Sequence, residues 1–235
     1  MSAWKAKRFW KQATVEQAET AFTVRLDGRP VKTPSKTLLT VPTRALAEAI
    51  AAEWDAQTGE VKPDTMPFTR SANSAIDKVT PQFDAVVDML AAYGGTDLLC
   101  YRATGPEALI ERQAKAWDPL LDWSATTFGA PLKATAGVMH IAQDPRSLAA
   151  LHAPVAAMSP FQLAAFHDLV AISGSLVLAL AVTRGRLSAA EAWTLSRIDE
   201  AWQIEQWGDD EEAAELAARR EADFLQAGRF YALCG

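Results

Sequence analysis

Phe22, Val24 and Leu26 alternate with Thr23 and Arg25, the two-residue period of a strand with one buried face. Asp27-Gly28 follows, which predicts a two-residue hairpin turn of the type that needs positive φ at both positions. Residues 29–33 return as a partner strand, with Pro30 confining it to an edge. Residues 38–41 form another short strand, and residues 9–14 are expected to pair with this group. From Thr43 the period lengthens: Leu46, Ile50 and Trp54 recur on one helical face, Thr43 is the expected N-cap, and Gly59 the expected stop. Residues 61–67 contain Pro63 and Pro67, each of which disfavours helix in the residue before it, and so make an extended connector. Helical pattern resumes near Ser71 and then over 81–93, 106–128, 144–157, 160–184, 188–207 and 209–226. Gly185 suits a C-cap, and Ser188 with Glu191 suits a capping box. Strands come first and helices after, which predicts an α+β fold with segregated parts. The expected division is a small N-terminal antiparallel β-rich domain, residues 1–43, and a larger α-helical domain, residues 44–235.

Composition narrows the function. The 235 residues are 49% hydrophobic and 22% charged, a globular balance that excludes intrinsic disorder. The longest apolar run, 169–182, is broken by Ser173, Gly174 and Ser175. A bilayer crossing needs about 20 residues, so a buried core helix is expected and no stable membrane insertion. With 23 basic against 29 acidic side chains and a net charge of −6, general nucleic-acid binding is disfavoured. The charge is dipolar: residues 1–40 carry a net +5 and residues 199–223 a net −8. Cys100 and Cys234 have no metal or redox spacing and read as reduced thiols, Cys100 as a small buried hydrophobe. Residues 1–12 are basic and acid-free, yet too short and serine-poor for a presequence, and no secretory signal is expected.

Chemistry is sparse. His140, His152 and His167 are isolated, and no metal-protease, nucleophile-elbow, phosphate-loop or dinucleotide signature occurs. The acidic run Asp209 to Glu212 reads as a solvated helix N-terminus, where negative charge suits the helix dipole. Eight tryptophans are the unusual feature. Trp54, Trp117 and Trp123 are expected in the core. Trp202 and Trp207 fit core and interface equally well, and five residues apart they share no narrow stripe. An enzyme acting on a small molecule would need a polar pocket, for which Arg70, Asn73, Asp77 and Asp97 are the candidates.

Seven strings run in order along the chain: LDGRPVKTP at 26–34, LAEAIAAEWDAQ at 46–57, PDTMPFTR at 63–70, DLLCYR at 97–102, WDPLLDW at 117–123, GSLVLALA at 174–181 and DEAWQIEQWG at 199–208. Together they resemble the ATP-synthase assembly chaperones that attend the alpha subunit, the ATP-twelve family of mitochondria and α-proteobacteria. The match extends from about residue 8 to residue 228. The resemblance implies a small β-rich domain followed by a larger helical one, no enzymatic activity, no cofactor and no metal. It implies a protein that holds the newly made alpha subunit of the catalytic head until the beta subunit takes it over. Glu53, Trp54 and Gln57 match the family's EWxxQ string and are assigned a structural role, with Trp54 expected to wedge the two domains together. Glu205, Trp207 and Gly208 match its late acidic-WG string. With Asp210 and Glu211 they form the expected partner-binding surface. A monomeric bacterial member in the cytoplasm is expected, with eukaryotic relatives in the mitochondrial matrix.

Overall fold

A computed structural model describes residues 7–235; residues 1–6, including Lys5, lie outside the described residues. Strand β1 (Ala13–Ala18) pairs antiparallel with β2 (Ala21–Leu26), from Ala13 opposite Leu26 to Ala18 opposite Ala21. The other edge of β2 is shared by two short strands, β3 (Arg29–Pro30) at Arg25 and Leu26, and β4 (Thr40–Val41) at Phe22 and Thr23. The Asp27-Gly28 turn has φ of 46° and 81°, as a type I′ hairpin demands. The Asp27 carboxylate accepts the backbone N–H groups of Lys11 and Gln12 at 2.9–3.1 Å, and these bonds hold its pKa below the usual value.

The strand expected over 9–14 is displaced: it begins at Ala13 and runs to Ala18. The segment before it is fixed by Arg8, whose guanidinium donates to the carbonyls of Trp10, Lys11, Asp55 and Gln57 at 2.5–3.0 Å. The Asp55 carbonyl ends helix α1 (Arg44–Asp55), and the Gln57 carbonyl lies two residues beyond it. Because Arg8 satisfies them, the helix stops four residues before Gly59 without needing a glycine at its end.

Helix α1 starts as read: Thr43 accepts the Leu46 N–H through its side chain at 3.1 Å. Its buried face, Leu46, Ala47, Ile50 and Ala51, packs in one cluster with Val24, Leu26, Leu39 and Val41 of the sheet side. A one-layer sheet needs such a cover. Short helix α2 (Pro67–Ser74) follows, and the chain then passes through a π-helical turn, Ala75–Val79, and a 3-10 turn, Thr80–Gln82, into α3 (Phe83–Ala91).

The chain forms two compact units. The first comprises Met1–Phe83, so far as described, with Ser159–Ala165 and Arg229–Gly235; the second comprises Asp84–Met158 and Phe166–Gly228. The expected boundary at 43/44 therefore falls inside the first unit, which the sheet and α1 share.

The second unit holds α3, α4 (Glu107–Phe128), α5 (Pro145–Ala156), most of α6 (Pro160–Ser173), α7 (Leu176–Thr183), α8 (Ala189–Ser196), α9 (Ile198–Trp207) and most of α10 (Glu211–Leu233). A two-residue parallel pair, β5 (Tyr101–Arg102) with β6 (Thr135–Ala136), was not foreseen. The helix expected over 160–184 is broken. Gly174 takes φ 72°, Ser175 caps Leu178, and α7 restarts with every residue from Leu176 to Ala181 buried. The break is held by Asp97, fully buried, which accepts from Ser175 Oγ at 2.7 Å and from the N–H groups of Val177 and Leu99 at 2.9 and 3.0 Å. The helix expected over 188–207 is also divided, at Arg197 (φ −113°, ψ 18°), into α8 and α9. The Ser188–Glu191 capping box is present. The last helix runs on past 226 to Leu233. Among the described residues, no helix is long and apolar enough to cross a membrane.

Candidate functional site

Helix α9 is fixed to α4 by two neighbouring side chains. Arg112 donates to both oxygens of Glu205 at 2.7 and 2.8 Å, and its guanidinium lies 4.9 Å from the centre of the Trp202 ring. Gln113 donates to Asp199 at 2.6 Å and accepts the Ala103 N–H at 2.8 Å. The bidentate bond from Arg112 holds the Glu205 carboxyl below its ordinary pKa, and Glu205 raises that of Arg112. Neither partner could be read from the sequence, since nothing local links position 112 to 205 or 113 to 199.

Beyond this clamp α9 ends in solvent. Trp207 is 79% exposed and Ile204, one turn earlier, 45%. Gly208 turns the chain at φ 90°. Asp210 accepts the Ala213 N–H at 2.8 Å, and Glu211 and Glu212 fill the first turn of α10, where the helix dipole favours them. Leu216, one further turn along, is also exposed. The five expected partner-binding residues thus run from the last turn of α9 to the first residue of α10, with distinct local tasks. Trp207 and Glu211 are exposed, Glu205 is ion-paired to Arg112, Gly208 shapes the turn, and Asp210 caps α10. Of the two tryptophans left open by the sequence, Trp202 is half-buried beneath Arg112 and Trp207 is exposed.

The EWxxQ residues organise the first unit. Glu53 accepts the N–H groups of Phe68 and Thr69 and the Thr69 hydroxyl at 2.6–2.8 Å, so it caps α2 from a distance. Burial pushes its pKa up, against those bonds. Gln57 donates to the Glu53 carbonyl and to Thr65 Oγ1 and accepts the Lys62 N–H, tying the 57–65 connector into a loop. Trp54 meets Trp10 edge-on at 5.2 Å and packs against the sheet-and-helix core of its own unit.

The residues named for a small-molecule pocket do not converge. Arg70 is exposed, and Asp77 is taken up by Thr33 Oγ1 at 2.7 Å and the Ser35 N–H at 3.1 Å. Asn73 is half-buried, and Asp97 belongs to the second unit's core. Each histidine has a side-chain partner: Tyr101 for His140, Asp88 for His152 and Asp168 for His167. The His152–Asp88 pair borders a shallow cavity of about 370 Å³, otherwise lined by Ala91, Ala92, Leu148 and Ala149. Both cysteines are buried, and burial raises each thiol pKa to about 12. Among the described residues no three His, Cys, Asp or Glu side chains group as a metal site.

A sheet-and-helix first unit followed by a helical second unit is the fold of a known class of chaperone. The profile described as "ATP12 chaperone protein" matches residues 7–125. The crystal structure of Atp12 from Paracoccus denitrificans is 55% identical, covers 99% of this chain and 100% of its own, and superposes with a TM-score of 0.96. The Atu1473 protein of Agrobacterium tumefaciens is 43% identical over 97% of this chain and 86% of its own, with a TM-score of 0.93. Protein atp12, mitochondrial, of Schizosaccharomyces pombe is 27% identical over 89% of this chain and 76% of its own length. The chain belongs to the ATP12 chaperone family.

Proposed function

We propose that this protein is a bacterial assembly chaperone that binds the unassembled alpha subunit of the catalytic head of ATP synthase in the cytoplasm, as a monomer, and yields it to the beta subunit. An unpaired subunit exposes an apolar face that aggregates unless covered. A temporary cover needs an apolar anchor for affinity and a charged rim for register, without binding so tightly that the true partner cannot displace it. The observation that supports this reading best is Trp207. A large aromatic side chain stands 79% exposed at a turn followed by Asp209 to Glu212, in a chain of the ATP12 family. No bond is made or broken in this work, so no nucleophile, metal or cofactor takes part.

The test is capture of recombinant alpha subunit by immobilised chain. Trp207→Ala removes the anchor and should weaken capture about tenfold, the loss of one well-buried aromatic contact, at unchanged melting temperature. Glu205→Lys sets like charge against Arg112 and should weaken it as well. Capture at the wild-type level by both variants would remove this surface from the reading.

A further inference from the structure

Helices α3 and α5 run antiparallel and are held close at two points. At one, the buried Gly94, just past α3, brings its backbone so near that an added Cβ would lie 3.2–3.4 Å from methyl carbons of Leu148, Leu151 and Leu176. At the other, Asp88 Oδ1 lies 2.8 Å from His152 Nε2. Between these points stand Ala91, Ala92 and Ala149, whose side chains are too short to fill the gap, with Leu148 as a wall. The result is the cavity of about 370 Å³, at the lower end of the roughly 300–1,000 Å³ of small-ligand sites. Such sites usually bury about 70–90% of a free small molecule, which a shallow trough cannot do. It suits one side chain presented by a larger partner, whose remaining surface supplies the rest of the contact.

The rim decides which side chain. As a carboxylate Asp88 can only accept, so His152 Nε2 carries the proton of their bond. That bond occupies Oδ1 alone. Oδ2 accepts no hydrogen bond from any described residue, and the Asp88 side chain is 75% exposed. Asp84, one turn earlier on the same face of α3, is also exposed. No Lys or Arg occurs on α3, and α5 carries only Arg146, in its first turn and nearly two turns from His152. An apolar floor that ends at a half-bonded carboxylate matches a side chain with an aliphatic stem and a cationic end, which is Lys or Arg.

We propose that the trough between α3 and α5 is a docking pocket for one Lys or Arg side chain of the alpha subunit, its stem on Ala91, Ala92, Leu148 and Ala149 and its charged end on Asp88. This rests on the client reading above. The test uses the full chain and purified alpha subunit. Asp88→Asn keeps an acceptor for His152, so it should leave the melting temperature unchanged while weakening binding about fivefold, the scale of one partly exposed ion pair. Asp88→Glu keeps the charge and should restore binding. Separately, Ala149→Cys places an accessible thiol on the floor while Cys100 and Cys234 stay buried and protonated, so a maleimide reports on position 149 alone. Saturating alpha subunit should slow that labelling at least tenfold. Wild-type affinity in Asp88→Asn, a loss that Asp88→Glu does not reverse, or labelling of Ala149→Cys unaffected in the saturated complex overturns the pocket assignment and leaves the Trp207 surface standing. Failure of the wild-type chain to bind alpha subunit overturns the client reading and the pocket assignment with it. Protection that grows with the chain's own concentration, without client, assigns the trough to a second copy and overturns the proposal.

Discussion

Gln57 makes three side-chain hydrogen bonds within eight residues of itself, and Glu53 makes three to the start of α2. A motif that stands out in a sequence invites a binding role, and here its polar members are spent on holding a connector and capping a helix. Trp54 between them contributes area. It is half-buried, with Trp10 against its ring. Full truncation of a core Trp costs about 3–5 kcal/mol, and partial exposure lowers that, so Trp54→Ala should destabilise the fold by about 2–3 kcal/mol. Urea unfolding monitored by far-UV circular dichroism measures the loss, and alpha-subunit capture below the transition should be unaffected. An unchanged midpoint would contradict the packing described for this residue. The periodicity at Leu46, Ile50 and Trp54 made the buried face of α1 legible, because i, i+4 spacing is local information. The partners of Glu53 and Arg112 were not legible, because residues 15 and 93 positions away leave no local signal.

At the scale of elements, the breaks in the long helical patterns matter most. The stretch 160–184 is apolar almost throughout, and periodicity cannot place a break in a helix buried on all sides. Gly174 permits the break through its positive φ, and Asp97 stabilises it by receiving the freed donors of the α7 N-terminus. Burial pushes the Asp97 pKa up, while the Val177, Ser175 and Leu99 donors oppose that shift. Asp97→Ala leaves buried donors without an acceptor, each costing about 1–3 kcal/mol. The expected loss is about 3 kcal/mol or more, with hydrogen exchange accelerated first at the amides of 175–178. Native-like protection there in the variant would show that the break does not depend on Asp97. The hairpin at Asp27-Gly28 and the Ser188–Glu191 box, by contrast, formed where the sequence put them, since the positive φ of the turn and the reciprocal bonds of the box are each set by residues within four of one another.

For the whole molecule the controlling quantity is charge and its response to solution conditions. The Glu205 carboxyl titrates below its ordinary value because Arg112 binds its ionised form. Its favourable contribution is therefore complete above the ordinary carboxylate range and is lost as pH falls through the lowered value. Glu53 and Asp97 behave oppositely: burial raises both, so the folded state gains stability relative to the unfolded chain as pH falls from neutrality toward the unfolded carboxylate value. Melting temperature should accordingly hold or rise slightly between pH 7 and about pH 5, and capture of the alpha subunit should persist over that range and fall below about pH 4. Capture should also weaken between about 0.05 and 0.5 M salt as the acidic rim is screened. Salt-independent capture would mean that the run from Asp209 to Glu212 contributes nothing to binding.

The sequence by itself determined the order of strands and helices, the hairpin, the caps, the charge asymmetry and the ordered strings of the family. Each of these is set by interactions within a few residues or by simple composition. Only the tertiary structure decided that Glu205 faces Arg112, that Trp202 is covered while Trp207 is bare, that the apolar stretch 160–184 is two helices, and that Asp88 and His152 meet at the edge of a cavity. Those outcomes depend on which distant side chains supply a missing hydrogen-bond partner or withhold a covering surface, and such partners are chosen by packing in three dimensions.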